Sequence, residues 1–187
     1  MVNSPFGCYT VVMQVLSATL LQRPIMSLRT GSRIATTTGA LINPNNLKIE
    51  GFYCQDTVDK KMQLVLLAQD IRDILPAGLV VNDHDVLAAP KDLVRLKEIM
   101  NINFELFGKP VITEGKKKLG KVNDFATDMD SLYIQKLYVS QSVIKSLTGG
   151  NMGIDRSQIV EITNKKIIVK DPLQLVPSAT TATATPG

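Results

Sequence analysis

The chain has 187 residues and a mass of 20.4 kDa, which limits it to one ordinary domain or two small ones. With 44% apolar and 20% charged residues it has the composition of a globular protein, which excludes disorder of the whole chain. Aromatics at 5% and the lack of Trp argue against stacking platforms for single-stranded nucleic acid, and a net charge of +4 permits an anionic partner without requiring one.

Residues 1–19 read as a leader that need not belong to the mature fold. "MVNSPFGCYTVVMQVLSATLLQ" carries no charged side chain before Arg23, so it lacks the basic start of a secretory signal. Its apolar run is interrupted by Thr, Gln and Ser and falls short of the ~20 residues a spanning helix needs. Met13 is an alternative start, from which "MQVLSATLLQRPIMSL" leads into a first strand. Cys8 and Cys54 show no C-x-x-C spacing and no neighbouring His, so neither a zinc site nor a disulfide framework is indicated and a cytoplasmic location is expected.

Residues 20–98 form a first unit. Thr30 and Gly31 signal a turn, "INPNN" signals the next reversal, and "NLKIEGFYC" alternates apolar and polar positions as a half-buried strand does. A short helical turn is predicted over residues 69–75, followed by a turn at Gly78. Residues 92–107 join this unit to a second, at residues 99–173, through a strand end, a linker and a new strand.

The second unit opens with "TEGKKKLGKV", residues 113–122, which reproduces most of a phosphate-binding loop. Val122 stands where that loop needs a hydroxyl for magnesium, and "KLGKVNDFATD" alternates as a strand where the loop needs a helix. Gly115 is therefore assigned to a hairpin turn, and Gly120 to a bend or a close approach between strands. "TDMDS" marks a reversal, "SLYIQKLYV" a strand, residues 141–147 a second helical turn, and Gly149 and Gly150 a turn. Residues 174–187, ending in "SATTATATPG", are low in complexity and expected to be disordered.

The two units repeat. With one residue inserted in the second copy, Ile34 meets Leu119, Ala35 meets Gly120 and Thr37 meets Val122; farther on, Leu47 meets Leu132, Ile49 meets Ile134 and Phe52 meets Leu137. The later parts align residues 70–75 with 141–147 and Gly78 with Gly149 and Gly150. The expected architecture is mainly β, with two small tandem antiparallel barrels and short helical turns, each closed over its own aliphatic filling.

The pattern "PVITEGKKKLGKVNDF", an "LYI…LYV" strand, "VSQSVIKSL", "GIDRSQIVEI" and a closing "KKIIV" resembles the PRC-barrel family. In the first copy "PIMSLRTGSRIATTTGALINPNNLKIEGF", "LLAQDIRDI" and "GLVVNDHDVL" look like the same elements, although Ala35 stands where glycine is commonest. The family includes the cytoplasmic domain of the photosynthetic reaction-centre H subunit and the C-terminal domain of the ribosome maturation factor RimM. The resemblance implies a non-enzymatic module that binds partners, without the H subunit's membrane anchor or the RimM N-terminal domain.

The chemical candidates are few. Asp83, His84 and Asp85 in "VNDHD" could ligate a metal but more often shape a turn. Asp124, Asp128 and Asp130 resemble part of a calcium loop without its central Gly or terminal Glu. No G-x-S-x-G occurs, Ser140, Ser142 and Ser157 lack a base, and no enzyme activity or cofactor is expected.

The strongest interaction candidates are Lys116, Lys117, Lys118 and Lys121 at one hairpin tip, with Lys165 and Lys166 at a second tip expected nearby. Two functions follow. One is an adaptor or assembly module making protein contacts in the crevice between barrels. The alternative is an RNA- or ribosome-associated factor using the basic tips, with salt-sensitive phosphate contacts. A membrane-surface role through the apolar leader and the lysines is the weakest reading.

Overall fold

The computed structural model describes residues 13–140 and 152–171. In chain order it contains β1 (Gln14–Leu16), β2 (Pro24–Ser27), β3 (Arg33–Asn43), β4 (Lys48–Asp56), β5 (Gln63–Leu67), β6 (Ile71–Leu75), β7 (Gly78–Val81) and β8 (Leu87–Ala88). A short helix, α1 (Lys97–Ile102), precedes β9 (Pro110–Thr113), β10 (Lys118–Asp128), β11 (Ile134–Ser140), β12 (Met152–Asp155), β13 (Ile159–Ile162) and β14 (Ile167–Val169). Six 3-10 turns punctuate the described residues, among them Ala68–Asp70 and Arg156–Gln158.

The protein is mainly β, in two sheets. The first runs β6-β7-β2-β3-β4-β5-β8, and the second β12-β11-β10-β9-β14-β13, with β1 added on β10. Among the described residues no ladder joins the two ends of either sheet, so the strand pairing does not carry the expected closure. The strands form where β-branched and aromatic residues alternate with polar ones: Ile134, Leu137 and Val139 of β11 are buried while Gln135, Lys136 and Tyr138 are half-exposed.

The sheets follow one plan. Reading β2-β7 against β9-β14 gives the same strand order, and in each the sole parallel pair among the described residues joins first and last: Ile25 stands opposite Leu79, and Val111 opposite Ile167. The β3–β4 ladder shifts register between Thr37 and Gly39 and between Leu41 and Ile42. The β10–β11 ladder shifts at the matching places, Val122 to Asp124 and Ala126 to Thr127. Positive φ recurs too, at Gln22 and Gly108 and at Leu47 and Leu132.

The later part of the sequence alignment is corrected by this plan. Residues 71–75 are strand β6, not a helical turn, and their counterpart is β13 rather than residues 141–147, which lie outside the described residues. Likewise β7 matches β14, and the turn Ala68–Asp70 matches Arg156–Gln158. The cause is a longer β11–β12 connection in the second sheet, residues 141–151, against residues 57–62 in the first. The added residue of the first hairpin is also reassigned. Ser27 N–H donates to Ser32 and Thr113 N–H to Lys117, so the first copy has the longer tip.

The halves do not keep separate fillings. Buried apolar side chains from both form one contiguous set that includes Ile25, Phe52 and Leu79 from the first and Val111, Phe125 and Ile167 from the second. The sheets meet at the ends of their long hairpins, where Ile49 N–H donates to Leu132 (2.9 Å) and Ile134 N–H to Leu47 (2.9 Å) around an antiparallel bridge of Lys48 and Tyr133. Because Leu47 matches Leu132 and Ile49 matches Ile134, the exchange has approximate twofold symmetry. Part of the expected leader is built in as well: Gln14, Val15 and Leu16 pair with Asp128, Thr127 and Ala126 of the second sheet, and Ser17 Oγ donates to Asp124 (2.5 Å).

Candidate functional site

The β3 strand outruns its neighbour. β2 covers it only as far as Thr36, and beyond that point residues 38–42 form one wall of a cleft of about 490 Å³. The opposite wall is the linker of residues 103–107, with Leu21 and Tyr53 contributing to the lining. The linker is held in place by its own apolar side chains: Phe104 and Leu106 are buried, and the Phe107 ring lies 5.5 Å from that of Phe125. Phe104 also lies under Lys109, whose Nζ is 4.5 Å from the ring and donates to the Asn164 carbonyl (2.8 Å). Burial lowers the Lys109 pKa, opposed by the Glu105 carboxylate, and burial raises that of Tyr53. A cleft of mixed polar and apolar lining, beside a stretch of strand that β2 does not cover, is suited to holding a polypeptide segment.

The basic residues separate into two groups. Lys116, Lys117, Lys118, Lys121, Lys165 and Lys166 are all exposed, as expected of tips. However, β9 and β14 are parallel, with Ile167 opposite Val111 and Val169 opposite Thr113. Lys165 and Lys166 therefore enter at the start of β9, whereas Lys116 and Lys117 lie past its end, about 10 Å farther along at ~3.3 Å per residue. The two tips lie at opposite ends of β9, with Lys118, opposite Ile112, between them. Lys121, paired with Pro110, joins the Lys165 and Lys166 group.

The glycines have distinct duties. Gly31 has φ +67° in its tip. In the second tip the left-handed residue is Lys116, at φ +63°, rather than Gly115. Gly120 has φ +152°, and a Cβ there would lie 2.1 Å from the Ser140 carbonyl oxygen, so it is required by close approach. No helix follows Lys121, since β10 continues to Asp128. The phosphate-loop geometry is absent from this segment.

The acidic candidates do not converge. Asp83 caps the 3-10 turn His84–Val86 by accepting from the His84 N–H (2.7 Å), and it pairs with Arg29. The His84 ring turns away to Asp56 (Nε2 to Oδ2, 2.7 Å). Burial alone would raise the Asp56 pKa, but hydrogen bonds from the Val58 N–H and the His84 ring hold it below its ordinary value. Asp85 stays in the turn. Asp124 binds Ser17, Asp128 accepts from the Ser131 N–H, and Asp130 is exposed. Among the described residues no three His, Cys, Asp or Glu side chains are grouped to hold a metal. Burial pushes the Cys54 thiol up to about 12, which keeps it protonated, and Cys8 lies outside the described residues.

Sequence reasoning missed Asp56, Arg29, Lys109 and the cleft residues. All of them acquire meaning from partners distant in the chain, and only the register of the two ladders could have located the cleft. Among the described residues no helix is long and apolar enough to cross a membrane. Comparison of the sequence with protein-family models and with curated proteins gives no match.

Proposed function

We propose that the chain is a cytoplasmic, non-enzymatic adaptor of the PRC-barrel type, whose two halves are tandem copies of one barrel unit and whose partner protein docks in the crevice where they meet. The matching strand orders, register shifts and positive-φ positions support the duplication. The observation that carries the partner site is the cleft between residues 38–42 and 103–107, whose lining from both sides of the junction is apolar at Leu41, Ile42 and Phe104 and polar at Thr38, Asn103 and Glu105.

The test is affinity purification from cells with Thr38→Arg, a long cation placed at the rim from an exposed position. Protein partners that survive nuclease treatment and are lost from this variant support the reading. Partners retained undiminished by the variant oppose it.

A second reading, contact with RNA or the ribosome, is supported by the exposure of all six lysines. Their spread along β9 calls for more than one phosphate contact. Combined Lys116→Glu, Lys117→Glu and Lys118→Glu changes then reduce nuclease-sensitive retention and its salt dependence. Unchanged retention rejects this reading.

A further inference from the structure

The two sheets follow one plan but differ on their outer faces. In β9 and β14 the side chains of Val111, Thr113, Ile167 and Val169 are buried, so strand alternation turns Pro110, Ile112, Lys166 and Ile168 outward. Their partners on β10, Lys121 opposite Pro110 and Lys118 opposite Ile112, share that face and are exposed. Two rows therefore cross the strands, Lys166–Pro110–Lys121 and Glu161–Ile168–Ile112–Lys118.

The first sheet shows which of these residues the fold needs. Its matching second row keeps the same character, Asp73–Val80–Met26–Arg33, with an acid on the outer strand and a cation on the long one. Its matching first row is Gly78–Pro24–Thr36 and carries no charge. The same ladders thus form without cations at the places of Lys166 and Lys121, so strand pairing does not account for these two lysines. Protection of a free edge does not account for them either, because β10 and β14 both lie inside their sheet.

We propose that this face binds an acidic, aliphatic segment of a partner protein, with carboxylates on Lys118, Lys121 and Lys166 and apolar side chains over Pro110, Ile112 and Ile168. The face shares no residue with the cleft at residues 38–42 and 103–107, and the inference stands apart from the reading of that cleft. Three cations around an aliphatic centre select carboxylates interleaved with apolar side chains. A nucleic acid would satisfy the cations but gain nothing from the centre, which offers its bases no aromatic side chain to stack on. The acid does not come from the parts of this sequence outside the described residues, since positions 1–12, 141–151 and 172–187 contain no Asp or Glu.

The probe is a fluorescent peptide of alternating Glu and Leu, titrated against the full chain by anisotropy beside a peptide of equal length alternating Glu and Ser, and beside an oligouridylate. Saturable binding of the Glu–Leu peptide is expected, about tenfold tighter than that of the Glu–Ser peptide, because only the former covers the aliphatic centre. Lys121→Thr combined with Lys166→Gln weakens it about tenfold. Lys60→Gln combined with Lys61→Gln removes the same net charge from an exposed connection of the first sheet and leaves binding unchanged.

Absence of saturable binding by the Glu–Leu peptide overturns the inference, as does equal binding of the two peptides. Equal weakening by the two double variants also overturns it, since net charge rather than this face then holds the peptide. Tighter binding of the oligouridylate, lost with Lys121→Thr and Lys166→Gln, gives the face to nucleic acid. Sedimentation with phosphatidylserine vesicles that the same variant abolishes gives it to a membrane surface, and a dimer of the free protein that the variant dissociates gives it to a second copy of this chain. Each of these three results overturns the assignment to an acidic partner protein.

Discussion

Lys116 and Gly120 show how far residue identity reveals backbone need. Gly115 marks the hairpin in the sequence, yet the left-handed position is Lys116, with φ +63°. An L side chain there costs about 1 kcal/mol. Lys116→Gly is expected to raise stability by a few tenths to ~1 kcal/mol in urea unfolding, because relief of strain outweighs glycine's greater freedom when unfolded. Gly120→Ala is expected to cost at least about 2 kcal/mol by the same measurement, since φ +152° and a backbone oxygen 2.1 Å from the new Cβ both oppose it. A neutral Gly120→Ala would remove close approach as the reason for this glycine. Asp56 makes the pH prediction. Its folded pKa lies below the ordinary value, so the unfolded chain binds more protons between the two. Its contribution is complete above the ordinary carboxylate range and is lost as pH falls through the folded value. Asp56→Asn should therefore flatten the acid limb of a stability-against-pH curve.

At the scale of elements, the alternating stretches were legible and their counterparts less so. "NLKIEGFYC" and "SLYIQKLYV" form β4 and β11 because buried and less buried side chains alternate along them, except at the register shift beside Gly51 and Lys136, a pattern visible without partners. Residues 69–75 misled because "QDIRDIL" has helical spacing of its apolar positions, whereas pairing with β7 draws Ile71, Ile74 and Leu75 into a strand. The cleft was illegible for a related reason: it exists only where β3 outruns β2, and relative strand length is not encoded locally. The leader concealed a strand of only three residues, fastened by a side chain on another element. Ser17 is buried with its hydroxyl on a carboxylate, a charge-assisted bond worth about 1.5–3 kcal/mol. Ser17→Ala should lower stability by that order and speed hydrogen exchange at the β10 edge, residues 126–128. Loss of stability without faster exchange there would mean that the bond does not secure β1.

The whole molecule poses the question of whether two like units unfold as two or as one. The matched strand orders argue for independence, because each sheet repeats the other's order. Two features argue for unity. The buried apolar set runs without interruption from Leu20 to Val169, so separating the halves exposes side chains that neither can cover alone. The junction is also bonded across its approximate twofold by Ile49 to Leu132 and Ile134 to Leu47, and closed by Arg156, which donates to the Asn46 carbonyl (2.6 Å) with its guanidinium 4.8 Å from the Tyr133 ring centre. Contiguous burial scales with area and outweighs a junction of a few bonds, so a single cooperative transition is expected, with far-ultraviolet dichroism and tyrosine fluorescence coincident. Arg156→Ala should move that transition by about 1–2 kcal/mol without splitting it, since it removes a charged hydrogen bond and a cation–π contact but leaves the shared filling in place. Two resolved transitions in the unaltered chain would show that each sheet is stable alone, and the junction would then be a contact between domains rather than part of one core.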